Sequence, residues 1–330
     1  MEVLFVAHRI PFPPDKGDKI RSYRWLKAIS ARYTVHLGCF IDDAQDRAHL
    51  DRLGSLCASI HAVSLPRRKI AMRGLRALAK GEALTAAIYR DVGLVRWIDE
   101  RLRTGRIGCV ITFSSAMAGY CGGSPARVGK ILDFVDVDAE KWRLLSEHAP
   151  GVKALLYRRE AARLITHDRQ AMRRFDIGCF ISAAEIERFR MLAPEAMGRL
   201  RVLRNGVDAG FFAPERVYPD PYGPGGPVVV LTGAMNYWPN EEAAIWFASE
   251  VLPRLRGEVP GLRFAVVGRA PSRRVRRLSE VLGVKVVGGV ADMRPYLAHA
   301  AAVVAPLPVT IGVPNKILEG MAMARPVIAT

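Results

Sequence analysis

The sequence predicts an α/β protein made of two doubly wound, parallel-sheet lobes. Short apolar runs alternate with longer amphipathic stretches, the pattern of strands joined by covering helices. The alternation breaks once, in APERVYPDPYGPGGP over 213–227, where five prolines and three glycines mark a linker. It then restarts. A length of 330 residues suits about two domains.

The first lobe is expected over 1–208, the linker over 209–227 and the second lobe over 228–330. In the first lobe, 3–7 is too short and too apolar for a helix and predicts a buried strand. A loop follows, then a helix over 18–32. Further strands are expected at 34–40, 59–64, 107–113, 128–133, 177–182 and 202–204. After the linker, strands are expected at 228–232, 263–268, 285–287, 302–305 and 327–329. Helices at 241–255, 271–282, 293–300 and 315–324 separate them. The chain stops at Thr330, against a strand, so the second lobe is expected to be incomplete at its C-terminus.

Charge is the outlying property. Forty-nine Lys and Arg face 32 acids, a net +17, which favours phosphates, an anionic membrane or nucleic acid. The five cysteines, Cys39, Cys57, Cys109, Cys121 and Cys179, form no C-x-x-C pair and mostly lie in apolar runs; they are expected to be reduced and buried, not zinc ligands. No basic region followed by a long apolar run opens the chain, and no stretch reaches the ~20 apolar residues of a membrane span. A cytoplasmic protein, soluble or peripheral at the inner membrane face, is expected.

The most informative segment is VPNKILEGMAMARPVIAT, 313–330. A loop enters a helix near Asn315, where free amides and the helix dipole favour an anion. Lys316 opposes the dipole in the first turn unless an anion compensates it. Glu319 lies one turn on and can accept two hydrogen bonds from a ribose diol. A solvated helix with an incidental Lys–Glu pair is the plainer alternative. VLRNGVD, 202–208, is by itself an ordinary Asn-Gly turn. Gly233 and Gly268 end strands and leave room for a nucleotide, but neither belongs to a G-x-G-x-x-G fingerprint, which counts against a nicotinamide or flavin enzyme.

The helix, the small residues and RPVIA resemble the nucleotide-binding end of retaining glycosyltransferases with the GT-B fold, two Rossmann-like lobes; VLRNGVD resembles their segment before the interdomain linker. HRIPFPPDKGDKIRSY, DFVDVDAEKW, GAMNYWPNEEAAIWF and PNKILEGMAMARPV resemble the sugar transferases of PEP-CTERM/exosortase and exopolysaccharide loci. The resemblance implies transfer of a sugar from a nucleoside diphosphate donor to a glycan or lipid-linked acceptor, with retained configuration and neither metal nor cofactor. It implies donor contacts from Gly233, Asn236, Gly268, Val290, Asn315, Lys316 and Glu319, and catalytic roles for Lys316 and Asp136. The pattern is not complete. Many relatives carry Glu where this chain has Ile311, and Arg and Lys where it has Ala234 and Pro239.

HRIPFPPDKGDKIR follows the first strand, at the edge where open α/β sheets bind ligands. Gly17 permits close backbone approach and Asp18 can cap the next helix. By resemblance this loop, with His8, lies on the phosphate and acceptor side. Asp133, Asp136 and Asp138 follow the fifth strand and suit acceptor contact or capping better than a metal. His148 and His167 are expected at the surface. The stretch 66–80 is basic and amphipathic, with Ile70, Leu75, Leu78 and Ala79 able to share a face and Arg67, Arg68, Lys69 and Arg73 expected to meet an anionic membrane. A second basic helix spans 153–174. Two other readings stand beside this one: a catalytically inactive lobe pair serving as a scaffold, and a nucleic-acid-binding protein, for which no motif is present.

Overall fold

The structure, a computed structural model, describes residues 1–121, 124–308 and 313–330. The chain forms two compact units, Met1–Arg204 and Asn205–Thr330.

The first unit is a seven-stranded parallel sheet: β1 Glu2–Ala7, β2 Thr34–Ile41, β3 Ser59–Ser64, β4 Ile107–Phe113, β5 Gly129–Val135, β6 Ile177–Phe180 and β7 Leu200–Val202. Their order is β3-β2-β1-β4-β5-β6-β7. The period-2 pattern explains how both faces are covered. In β1, Leu4 and Val6 enter one core and Val3 and Phe5 the other. The order reverses between β1 and β4, so the loops leaving these strands diverge and open a crevice at their carboxyl ends. β6 stops two residues before the expected 182 because Ser182 caps the next helix, its Oγ accepting from the Glu185 amide at 3.2 Å. β7 lies two residues earlier than expected, since Leu200 is its buried residue and Val202 is exposed.

The second unit is a five-stranded parallel sheet of β8 Val228–Thr232, β9 Arg263–Val267, β10 Val284–Gly288, β11 Ala302–Ala305 and β12 Val327–Ala329, ordered β10-β9-β8-β11-β12. Its switch point falls between β8 and β11. The helix expected over 241–255 begins earlier and is interrupted: Trp238–Trp246, a π turn Phe247–Val251, then Leu252–Glu258. Pro253, which cannot donate to the helix ladder, stands at the start of the last piece and accounts for the widened turn. The helix expected over 271–282 is Arg273–Arg277 with a 3-10 turn Leu278–Glu280, started by the Ser272 cap on the Val275 amide.

The chain divides at Arg204, not at 208, and the stretch expected as a linker over 209–227 packs onto the second unit. Phe212 is buried there, and Tyr218 and Tyr222 pack against the same core. Prolines remove donors but leave carbonyls. Arg263 collects three of these, from Tyr222, Gly223 and Gly226, at 2.9–3.3 Å. All five cysteines are free thiols; four are buried and Cys109 is half-buried. Burial pushes the Cys57 and Cys121 thiols up to about 12, which keeps them protonated and unreactive.

Candidate functional site

In the second unit, Gly233 and Gly268 follow β8 and β9. A Cβ on Gly268 would lie 1.6 Å from the Gly233 carbonyl oxygen, so only glycine permits these two strand ends to touch. Gly233 has φ +139°, and a Cβ there would meet Asn240 Nδ2 at 2.8 Å and Lys316 Nζ at 3.3 Å. The two glycines therefore bring bare backbone against a lysine and an asparagine.

Lys316 is the second residue of the helix Asn315–Ala322, which begins after Pro314 with no side-chain cap. Gly320, one turn on, sets this helix tight on the sheet; a Cβ there would stand 2.9 Å from Val303. The same helix face carries Lys316, which is buried. Its ammonium donates to Asn240 Oδ1 at 2.6 Å, and Asn240 Nδ2 donates to the Ala234 carbonyl at 2.9 Å, which fixes the amide orientation. Burial lowers the Lys316 pKa to about 8, with Glu319 opposing the shift. An ammonium has three donors, and the partner found here is a neutral amide. A desolvated cation at the positive end of a helix is a poor arrangement by itself and a good one for an anion.

Of the expected donor contacts, Gly233, Gly268, Asn315, Lys316 and Glu319 lie on the carboxyl side of β8, β9 and β11, with Glu319 half-buried one turn from Lys316. Asn236 is exposed, and Val290 packs against the core of the unit. The asparagine that meets Lys316 is Asn240, which the sequence reading missed. Its only signal was a polar residue on the inward face of PNEEAA, easily taken for helix-start chemistry. Ile311 lies outside the described residues.

In the first unit the carboxyl ends of β1, β4 and β5 carry the polar groups. Asp18 is not the N-cap of its helix, which starts at Gly17 after an uncapped Lys16, although its Oδ1 accepts the first-turn Lys19 amide at 3.0 Å. Its Oδ2 reaches back to the β1 loop, accepting from Arg9 at 2.7 Å and pairing with His8 Nε2 at 3.1 Å. Burial alone would raise its pKa; His8 and Arg9 hold it far below the usual carboxylate range. His8 stacks on Phe113, and its buried Nδ1 has no hydrogen-bond partner. Gly17 is exposed at the start of that helix.

The three aspartates separate by role. Asp133 is fully buried and takes two bonds from Arg21, at 2.8 and 3.0 Å, and one from Trp25 at 2.7 Å, tying the helix Gly17–Ser30 to β5. It is therefore structural. Asp138 is no cap either: it is the first helical residue, and the Val137 amide ahead of it donates to Glu185. Between them, Val135 sits at φ +69°, a strained conformation for a β-branched residue. That turn places Asp136 half-buried, with Oδ1 unpartnered. Burial, then Asp138 and Glu185, push its pKa up to about 8. Among the described residues no group of three His, Cys, Asp or Glu could hold a metal. His148 is exposed, whereas His167 is half-buried against the Ser115 carbonyl at 2.8 Å.

Asp136 supplies a stability test. Its folded pKa lies above the ordinary value of 3.8, so the native state holds the extra proton between about 4 and 8 and loses stability as pH rises through that window. Asn mimics the neutral form. Asp136→Asn is expected to melt increasingly above the parent from pH 4 to 8, with no further gain beyond. A constant difference across that range in thermal melts would contradict the buried-acid assignment.

The basic stretch 66–80 forms the helix Arg67–Ala79. Arg67, Arg68 and Lys69 are exposed, as a surface role requires. Arg73 is not: it donates to the Ile88 carbonyl at 2.7 Å and pairs with Asp91, with its side chain only 15% exposed. Ile70 lies on this inner face, so Ile70 and Leu75 do not share one.

Residues 226–330 match the family model of glycosyl transferases, group 1. No curated protein sequence matches the chain. Solved structures do. Sucrose-phosphate synthase from Thermosynechococcus elongatus superposes with a TM-score of 0.67 at 16% identity, over 100% of this chain and 81% of its own. HepE from Anabaena, in complex with UDP and glucose, gives 0.61 at 16%, over 100% and 80%. WaaG, a glycosyltransferase of lipopolysaccharide biosynthesis, gives 0.63 at 16%, over 99% and 80%. The two parallel α/β units are those of the GT-B glycosyltransferase fold. Among the described residues no helix is long and apolar enough to cross a membrane.

Proposed function

We propose that the protein is a glycosyltransferase that moves a sugar from a nucleoside diphosphate donor to a glycan or lipid-linked acceptor in bacterial exopolysaccharide or cell-surface polysaccharide synthesis. The observation that carries this reading is Lys316: a buried ammonium, held by a neutral amide, beside bare glycine backbone and in the first turn of a helix. Each of these features favours a multiply charged anion, and a nucleoside diphosphate supplies one. Glu319, one turn on, is assigned to the ribose hydroxyls. HepE crystallised with UDP-glucose lends support for a nucleotide-sugar donor.

In the reaction, the bond between the anomeric carbon and the diphosphate oxygen breaks and its electron pair leaves with the diphosphate. The acceptor hydroxyl forms the new glycosidic bond and gives its proton to the leaving diphosphate. Charge grows on the leaving oxygens, so Lys316 acts most strongly in the transition state. Asp136 is assigned to the acceptor, which its partnerless oxygen suits. Retention of configuration is part of the same proposal and rests on resemblance.

The test is a thermal-shift screen of nucleoside diphosphates and their sugars, followed by transfer assays. One base should stabilise the protein by about 2.7 kcal/mol when its diphosphate is at a hundred times Kd. Absence of any shift and of any donor turnover would leave an inactive scaffold as the better reading.

A further inference from the structure

The first unit carries an apolar ridge that its own core does not use. On the helix Arg67–Ala79 the inner face is Ile70, Arg73 and Ala77. The opposite stripe, Met72, Leu75 and Leu78, is 47%, 69% and 39% exposed. Spacing of three residues puts these side chains in one row. A second helix, Gly151–Met172, exposes Val152, Leu155 and Leu156 in its first turns, at 82%, 64% and 36%. Arg159 links the two: its guanidinium donates to the carbonyl of Ala77 at 3.3 Å and that of Leu78 at 3.5 Å. Leu155 lies one turn before Arg159 on the same helix face. Arg159, one turn from Leu155, therefore ties the second helix to the end of the first.

The two segments themselves carry one sign of charge. Residues 66–80 and 151–159 contain no Asp or Glu. Arg67, Arg68, Lys69, Arg76 and Lys80 are exposed on the first helix, and Lys153 and Arg158 on the second. The nearest acids in the chain are spoken for: Glu82 pairs with Arg90, Glu147 pairs with Arg143, and Glu160 is buried and accepts the amides of Leu84 and Thr85.

We propose that this two-helix face docks on an anionic lipid bilayer, with the leucine and valine rows entering the interface and the basic rim meeting the lipid phosphates. The charge chooses the occupant. A net basic rim complements an anionic surface, and exposed aliphatic rows add the insertion that a free polyanion cannot use. Nucleic acid would gain nothing from Leu75, Leu155 and Val152. This inference does not rest on the donor-site reading.

The experiment uses the whole chain and vesicles of phosphatidylcholine and phosphatidylglycerol in equal parts, with phosphatidylcholine alone as control. Cosedimentation is expected with the anionic vesicles only. Two triple variants separate the contributions: Leu75→Ser/Leu78→Ser/Leu155→Ser and Arg67→Glu/Arg68→Glu/Lys69→Glu. All six positions are exposed, so circular dichroism and melting should match the parent. Each variant should lower partitioning at least about tenfold, with nucleotide affinity unchanged. No binding by the parent would overturn the proposal. So would full binding by the serine variant, which would leave a charge-only contact equally open to nucleic acid.

Discussion

Lys316→Ala is expected to lower turnover by about 10²–10³ and to raise donor KM much less, because the charge that Lys316 meets grows in the transition state. The folded state should tolerate the change. Removing a desolvated ammonium relieves a cost, provided that the volume is filled. Lys316→Met fills it, and pH gives the expected sign. The Lys316 pKa lies near 8 in the folded protein against an ordinary 10.5. Between these values the unfolded chain binds the extra proton, so this group's contribution to stability rises with pH across that window. Below pH 8 the buried charge costs on the order of 3 kcal/mol, so the methionine variant should be the more stable there and lose that advantage towards pH 10.5. Diphosphate affinity runs the other way: it should weaken as pH rises above 8, when the ammonium deprotonates. Melting and calorimetry between pH 7 and 10.5 read both slopes. A variant that changes only KM would make Lys316 a uniform binding residue. A pH-independent affinity would remove the ammonium from the diphosphate contact.

Glu319→Ala is expected to weaken nucleotide binding by about 1.5–3 kcal/mol, the range for hydrogen bonds to a charged group. That is roughly a ten- to hundredfold rise in Kd. Glu319 is half-buried in the helix Asn315–Ala322, and alanine is the better helix former, so folding should survive. The loss should appear equally for the nucleoside diphosphate and for the sugar-bearing donor, because the ribose is common to both. Glu319→Gln, which keeps acceptor geometry without charge, should fall between. Calorimetry that finds donor affinity unchanged in the alanine variant would end the ribose assignment.

These effects separate what sequence settles from what it leaves open. Strand positions such as Ser59–Ser64, Val228–Thr232 and Ala302–Ala305 follow from local chemistry. A short apolar run between turn-forming residues has few alternatives to a buried strand. Two such series, interrupted by a proline-rich stretch, determine two parallel-sheet units. Lys316 and Glu319 were legible for the same reason: a loop, a helix start and an ill-placed cation lie together in one short segment.

Partners distant in the chain were not legible. Asn240 meets Lys316 from 76 residues away, and Arg21 meets Asp133 from 112. Asp133, Asp136 and Asp138 looked alike in sequence. Only packing made the first a buried ion-pair partner, the second an acid with a raised pKa on a strained turn and the third a first-turn residue paired with Lys141. The direction of Arg73 and the outward row of Leu75 and Leu78 were likewise decided by which helix face met the segment 84–91. A helix pattern states that faces differ; with arginine on the inner face and leucine on the outer, composition pointed the wrong way. Periodicity is a property of neighbouring residues, whereas burial is a property of what the rest of the chain places against them.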